Sequence, residues 1–70
     1  MKYRDVAERS RELGCQELVR GKGSHCKWHT PSNGKVTSVP DWGIKDLAPG
    51  TVRAVVRQLG ISREEFGLIT

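Results

Sequence analysis

Seventy residues allow one domain at most, and a domain that small buries only about 60% of the surface of its unfolded chain. A hydrophobic fraction of 36% is low for a globule, but the apolar residues are clustered and patterned, which argues against disorder. The net charge is +4, and its excess is local: residues 20–35 carry Arg20, Lys22, Lys27 and Lys35 with no carboxylate. Such a stretch favours a phosphate-bearing or otherwise acidic partner, although an ordinary solvated face has the same composition. No apolar run approaches membrane-spanning length and the first residues carry no apolar signal core, so a cytoplasmic protein is expected, with Cys15 and Cys26 as reduced thiols.

In chain order, Tyr3, Val6, Ala7, Ser10 and Leu13 form a modest stripe at helical spacing over residues 3–13, with Gly14 as the terminator. No good capping residue precedes it, and fraying is expected near Lys2. Residues 15–20 suit a first strand, Gly21-Lys22-Gly23 a turn and residues 24–30 a second strand. Pro31-Ser32-Asn33-Gly34 is a strong turn signal, because Asn-Gly tolerates positive φ at both central positions. Residues 35–39 make a third strand closed by Pro40, which has no ladder donor. The connection 41–48 is unusually apolar, with Trp42, Ile44 and Leu47, and must lie over the core or under a partner. Val52, Val55, Val56 and Leu59 mark a second helix that opens at Thr51, or earlier at Pro49, and ends at Gly60. Ser62 and Glu65 form a capping box for a last short turn.

The resulting order is α+β: helix, a meander of three antiparallel strands, helix. Both helices can cover one face of the sheet, leaving the other open.

The chemistry concentrates in Gly21–His29. Alternate strand positions share a face, so His25, Lys27 and His29 face one way and Ser24, Cys26 and Trp28 the other. Cys26 and Trp28 suit a core, which points the histidines outward. A histidine can take a proton from a ribose 2′-hydroxyl or give one to a leaving 5′-oxygen, and a nearby cation can hold the phosphate as charge develops. His25 with Lys27 meets that minimum. Ser24 and the backbone near Gly21 and Gly23 can donate to phosphate, and Arg20, Lys22 and Lys35 are further cations. His29 is two same-face steps from His25, too far to grip the same phosphate. The bland reading is a strand histidine satisfied by its neighbours. Zinc ligation by Cys15, Cys26, His25 and His29 is disfavoured by spacing and by the opposite faces of His25 and Cys26. Arg53 and Arg57 extend a positive surface or are solvent-side helix residues, and Trp28 and Trp42 are core residues or base-stacking platforms.

Taken together, Gly23-Ser24-His25, the Asn33-Gly34 turn, Val39-Pro40, Leu47-x-Pro49-Gly50-Thr51 and Arg53-x-Val55-Val56-Arg57-Gln58-Leu59-Gly60-Ile61-Ser62-x-x-Glu65-Phe66 resemble the HicA family of toxins, small messenger-RNA interferases of toxin–antitoxin pairs. The resemblance runs through nearly the whole chain as one domain, 1–70. It implies a fold like the double-stranded-RNA-binding domain, endoribonuclease activity, a catalytic histidine at His25, and a HicB-type antitoxin that covers the site. Oligomers are expected only through that antitoxin or a weak dimer, and because transesterification needs no metal and no ligand set is evident, cleavage without metal or cofactor is expected. The family commonly has a second histidine shortly after the Val-Pro pair, where this chain has Trp42. The alternative is a non-catalytic double-stranded RNA-binding module.

Overall fold

The computed structural model describes residues 1–20 and 25–69, without the side chains of Val19 and Arg20. Its elements are α1 (Tyr3–Glu12), β1 (Gln16–Arg20), β2 (His25–Thr30), β3 (Lys35–Pro40), α2 (Pro49–Gln58) and α3 (Arg63–Phe66). The three strands form one antiparallel sheet in the order β1-β2-β3, so β2 is central. This is the expected α+β arrangement.

Burial along β2 alternates. Cys26, Trp28 and Thr30 are buried, His25 and Lys27 are exposed, and His29 lies between. The buried set faces the helices. Val6 and Ala7 of α1, Val52, Val55 and Val56 of α2, and Leu59 join Cys26, Trp28 and Val39 in one apolar cluster. Trp28 is tied to α1, donating from Nε1 to Tyr3 Oη at 3.0 Å; that hydroxyl in turn donates to Glu17 Oε2 of β1 at 3.0 Å. Burial above all pushes the Tyr3 phenol well above its usual pKa and keeps it a donor. Thr30 Oγ1 donates to the Leu59 carbonyl at 2.7 Å, and Thr37 Oγ1 to Gln58 Oε1, which ties the sheet to the end of α2.

Several details depart from expectation. The start of α1 is not loose: Asp5 Oδ2 accepts from the Lys2 N–H at 3.0 Å, and Leu47 N donates to the Met1 carbonyl at 2.6 Å. An acidic residue in the first turn does the capping that no Ser or Thr was present to do. In the β2–β3 loop only Gly34 has positive φ, at +71°; Asn33 does not. The loop is four residues long, and Asn33 is used through its side chain instead. Its Nδ2 donates to the Leu59 carbonyl at 3.1 Å and its Oδ1 accepts from Lys35 N at 2.8 Å. Helix α2 takes the earlier start, with Ala48 as N-cap and Pro49 in the first turn. In α3, Ser62 Oγ accepts from Glu65 N at 3.0 Å as expected. Leu47 is buried, but Trp42 and Ile44 of the same connection are 47% and 87% exposed, so only part of that apolar stretch covers the core.

Two predictions follow from these contacts. Trp28→Ala should cost about 3–5 kcal/mol, enough in so small a domain to leave the chain largely unfolded in a urea titration at 25 °C. Trp28→Phe should keep the fold while losing the bond to Tyr3, at about 1 kcal/mol. The bond from Lys2 N–H holds the Asp5 carboxyl below its ordinary value. A depressed folded pKa contributes stability above the unfolded value, and that contribution disappears as pH falls through the folded one. Asp5→Asn should therefore flatten part of the acid limb of thermal stability below about pH 4, read from melting curves of both forms.

Candidate nucleic-acid interface

The sheet face turned away from the helices is set by pairing. His25 pairs with Pro40, Lys27 with Ser38 and His29 with Val36, while Gln16 of β1 pairs with His29. Paired residues share a face, so His25, Lys27 and His29 lie with Gln16, Val36, Ser38 and Pro40 on the uncovered side. Between Glu17 and Arg20 the β1–β2 register shifts, so that two β1 residues, Leu18 and Val19, oppose the single Lys27.

Among the described strand residues no carboxylate lies on this face. Glu17 is the one acidic residue in the three strands, and its pairing with Trp28 turns it to the helix side. There it accepts from Tyr3 and lies 3.9 Å from the Arg11 guanidinium, which itself stacks 5.0 Å from the centroid of the Trp28 ring. Lys27 has no ion-pair partner among the described residues. Its ammonium and the His25 imidazole project from alternate positions of the central strand, about 7 Å apart along the backbone.

The other sequence candidates fare differently. Lys22 and Ser24 lie outside the described residues, as does the side chain of Arg20, whose backbone pairs with Cys26. Lys35 is not brought to His25. It pairs with Thr30 at the far end of β2, on the helix side, with its Cδ against the backbone of Gly60. The four-residue loop fixes that parity, which strand alternation alone left open. His29 is half-buried and two same-face steps from His25, about 13 Å along the strand. Cys26 and Cys15 are buried on the core side, with Cys15 Sγ 3.3 Å from Thr30 Oγ1. Among the described residues no group of three or more His, Cys, Asp or Glu is placed to hold a metal ion, and no helix is long and apolar enough to cross a membrane.

Trp42 is the residue whose position the sequence left open. It follows the end of β3, beyond the Pro40–His25 pair, and remains 47% exposed.

A small α+β domain with one covered and one bare sheet face, the bare one cationic and histidine-bearing, is the class of protein that these features define. Residues 3–61 match the family described as HicA toxin of bacterial toxin-antitoxin. The chain belongs to that family and is therefore a toxin-antitoxin protein of the HicA type. It is 39% identical over 61 residues to a probable mRNA interferase HicA of Pseudomonas fluorescens (strain Pf0-1), covering 87% of this chain and 97% of that one. No solved structure matches it.

Proposed function

We propose that this toxin is a metal-independent endoribonuclease that cleaves messenger RNA in the cytoplasm, with His25 as its proton-transfer group, and that a HicB-type antitoxin restrains it by covering the bare sheet face. The observation that carries the reading is the exposed His25–Lys27 pair on the central strand, on a face from which the strands' only carboxylate is turned away. The relative's designation as a probable mRNA interferase supports the substrate class.

In this mechanism the ribose 2′-hydroxyl attacks the adjacent phosphorus and the 5′-oxygen departs, leaving a 2′,3′-cyclic phosphate and a 5′-hydroxyl. The His25 imidazole takes the 2′-proton or, when protonated, supplies the proton that the leaving oxygen needs. Lys27 neutralises charge that builds on the non-bridging oxygens, an interaction strongest in the transition state. Arg20, Lys22 and Ser24, close to His25 in the sequence, are the further phosphate contacts in this reading. Lys35 is left out of this set by its place at the other end. His29 is too distant along β2 to act on the same phosphate. One histidine then serves the reaction, with water or a neighbouring group carrying the second proton.

His25→Ala is expected to lower kcat/KM for RNA cleavage by about 10²- to 10⁴-fold with an unchanged melting temperature, and to abolish growth arrest on induction. Equal toxicity and equal transcript decay in the two forms would sink the assignment. Lys27→Ala should weaken RNA binding and reduce the salt slope of log K by about one, while Lys27→Arg should retain most of both. Cleavage should persist in EDTA; loss of activity restored by a single divalent metal would overturn the metal-independent reading.

A further inference from the structure

We propose that Trp42 and Lys45 form a nucleotide subsite beside His25, in which the Trp42 indole stacks on an unpaired base of the bound RNA strand and the Lys45 ammonium holds its phosphate. The inference rests on the reading of this toxin as an RNA-acting protein and adds to it where the strand runs and in what state it must be.

The position comes first. Pro40 is paired with His25 across the ladder, about 5 Å away between Cα atoms. Trp42 is two residues further on, so its Cα lies within about 7 Å of that of Pro40. The Cα of Trp42 is therefore within about 12 Å of that of His25, a span that two nucleotides of an extended strand can cover.

The main chain that carries the ring is also held by contacts on either side. Asp41 Oδ1 accepts from Gly43 N at 3.0 Å, and Gly43 turns the chain with a φ of +63° that a side chain would resist. Lys45 N donates to the Trp42 carbonyl at 3.1 Å. Beyond it, Lys2 and Asp46 form a bridge and Leu47 is buried, so the turn is fastened to the start of α1. A ring presented on a fastened turn loses little conformational freedom on binding.

The surroundings favour a nucleotide over an apolar protein anchor. Trp28 is 1% exposed and serves the core, whereas the Trp42 indole makes no side-chain hydrogen bond or cation–π contact among the described residues. Among the described residues the hollow beside it, about 460 Å³, is bounded by Asp41, Trp42 and Lys45, with no second apolar side chain. Ile44 lines a separate hollow, with Lys2, Tyr3 and Arg4. An aromatic face next to an ammonium is what a stacked base with its phosphate requires; the centre of a protein interface would gather aliphatic side chains around the ring. Stacking on an indole needs a base whose own face is free, so the subsite selects single-stranded RNA.

The test uses the full chain carrying His25→Ala, so that RNA binds without being cut, and reads tryptophan fluorescence. A short single-stranded RNA should quench the emission and protect it from acrylamide, and the same sequence as a duplex should not. In the same background Trp42→Phe should retain most of the affinity. Trp42→Leu should weaken single-strand binding by about 5- to 150-fold and abolish the quench while leaving the circular dichroism unchanged. Lys45→Ala should weaken binding and lower its salt dependence. Unchanged RNA affinity in Trp42→Leu would overturn the subsite, as would loss of antitoxin binding alone, which would make the ring a protein contact. If a substitution at position 42 unfolds the chain, the unsubstituted ring still decides: absence of quenching and of acrylamide protection by saturating RNA overturns the proposal. Trp42-dependent binding together with no RNA cleavage by the chain that retains His25 would instead fail the nuclease reading and leave the subsite standing.

Discussion

The structure depends on the burial of one indole at the middle of the central strand. Trp28 lies in the core cluster that both helices share, its N–H satisfied by Tyr3 and its ring capped by the Arg11 guanidinium, both of α1. Because strand side chains alternate with period two, seating Trp28 inward forces Lys27 and His29 outward, and with them His25. A slip of β2 by one residue would bury an ammonium and two imidazoles and expose the largest side chain of the core. The penalty for that exchange is many times the margin by which a domain of this size is stable. Packing thus fixes the orientation of the polar face, and the chemistry follows from packing.

How much of this was legible in the sequence depends on whether a residue's neighbours along the chain determine its face. In α2, Val52, Val55, Val56 and Leu59 repeat at helical spacing and are all buried. In β2, Cys26 and Trp28 share a parity that His25 and Lys27 do not, and the face could be read directly. In β3 the clue is ambiguous: Val36 and Val39 have opposite parities, so alternation alone cannot say which is inside. The loop settles it, because four residues bring Thr30 opposite Lys35 and thereby place Thr37 and Val39 inward. That is why Lys35, which sequence reasoning grouped with His25 by charge, stands on the other face. Contacts between distant segments were illegible for the same reason. Asn33 serves the end of α2 through its side chain, and the β1–β2 register shift reflects geometry that no residue pattern announces.

Electrostatics and sheet geometry reinforce one another around His25. Glu17 is the only strand residue able to neutralise the open face, and it is engaged on the opposite side by Tyr3 and Arg11. The cation at Lys27 is consequently available to a polyanion rather than spent on an internal ion pair. Two edges remain on a three-stranded sheet, and each is blunted. A register shift interrupts β1, and β3 begins at Lys35 and ends at Pro40. These features discourage pairing with another strand and leave side chains, rather than backbone, as the recognition elements of the sheet.

The spacing of the two histidines limits what a single bound phosphate can experience. Same-face neighbours on a strand are about 7 Å apart, so His25 and Lys27 can meet one phosphate from two sides, whereas His25 and His29 address positions about 13 Å apart. A proton-transfer pair of histidines, with one on each side of the scissile bond, would need the second imidazole on a different element at the His25 end. The described part of that end holds Pro40, then Asp41, whose Oδ1 accepts from Gly43 N, and Trp42, with no second imidazole among them. Pro40 carries no titratable group and an indole transfers no proton near neutral pH. In the proposed reading the residues at that end hold and orient a strand, and His25 is the one imidazole within reach of the phosphate. Positioning then carries more of the rate than in a two-histidine site, which places the demand on the rigidity of β2 and so, again, on the seat of Trp28.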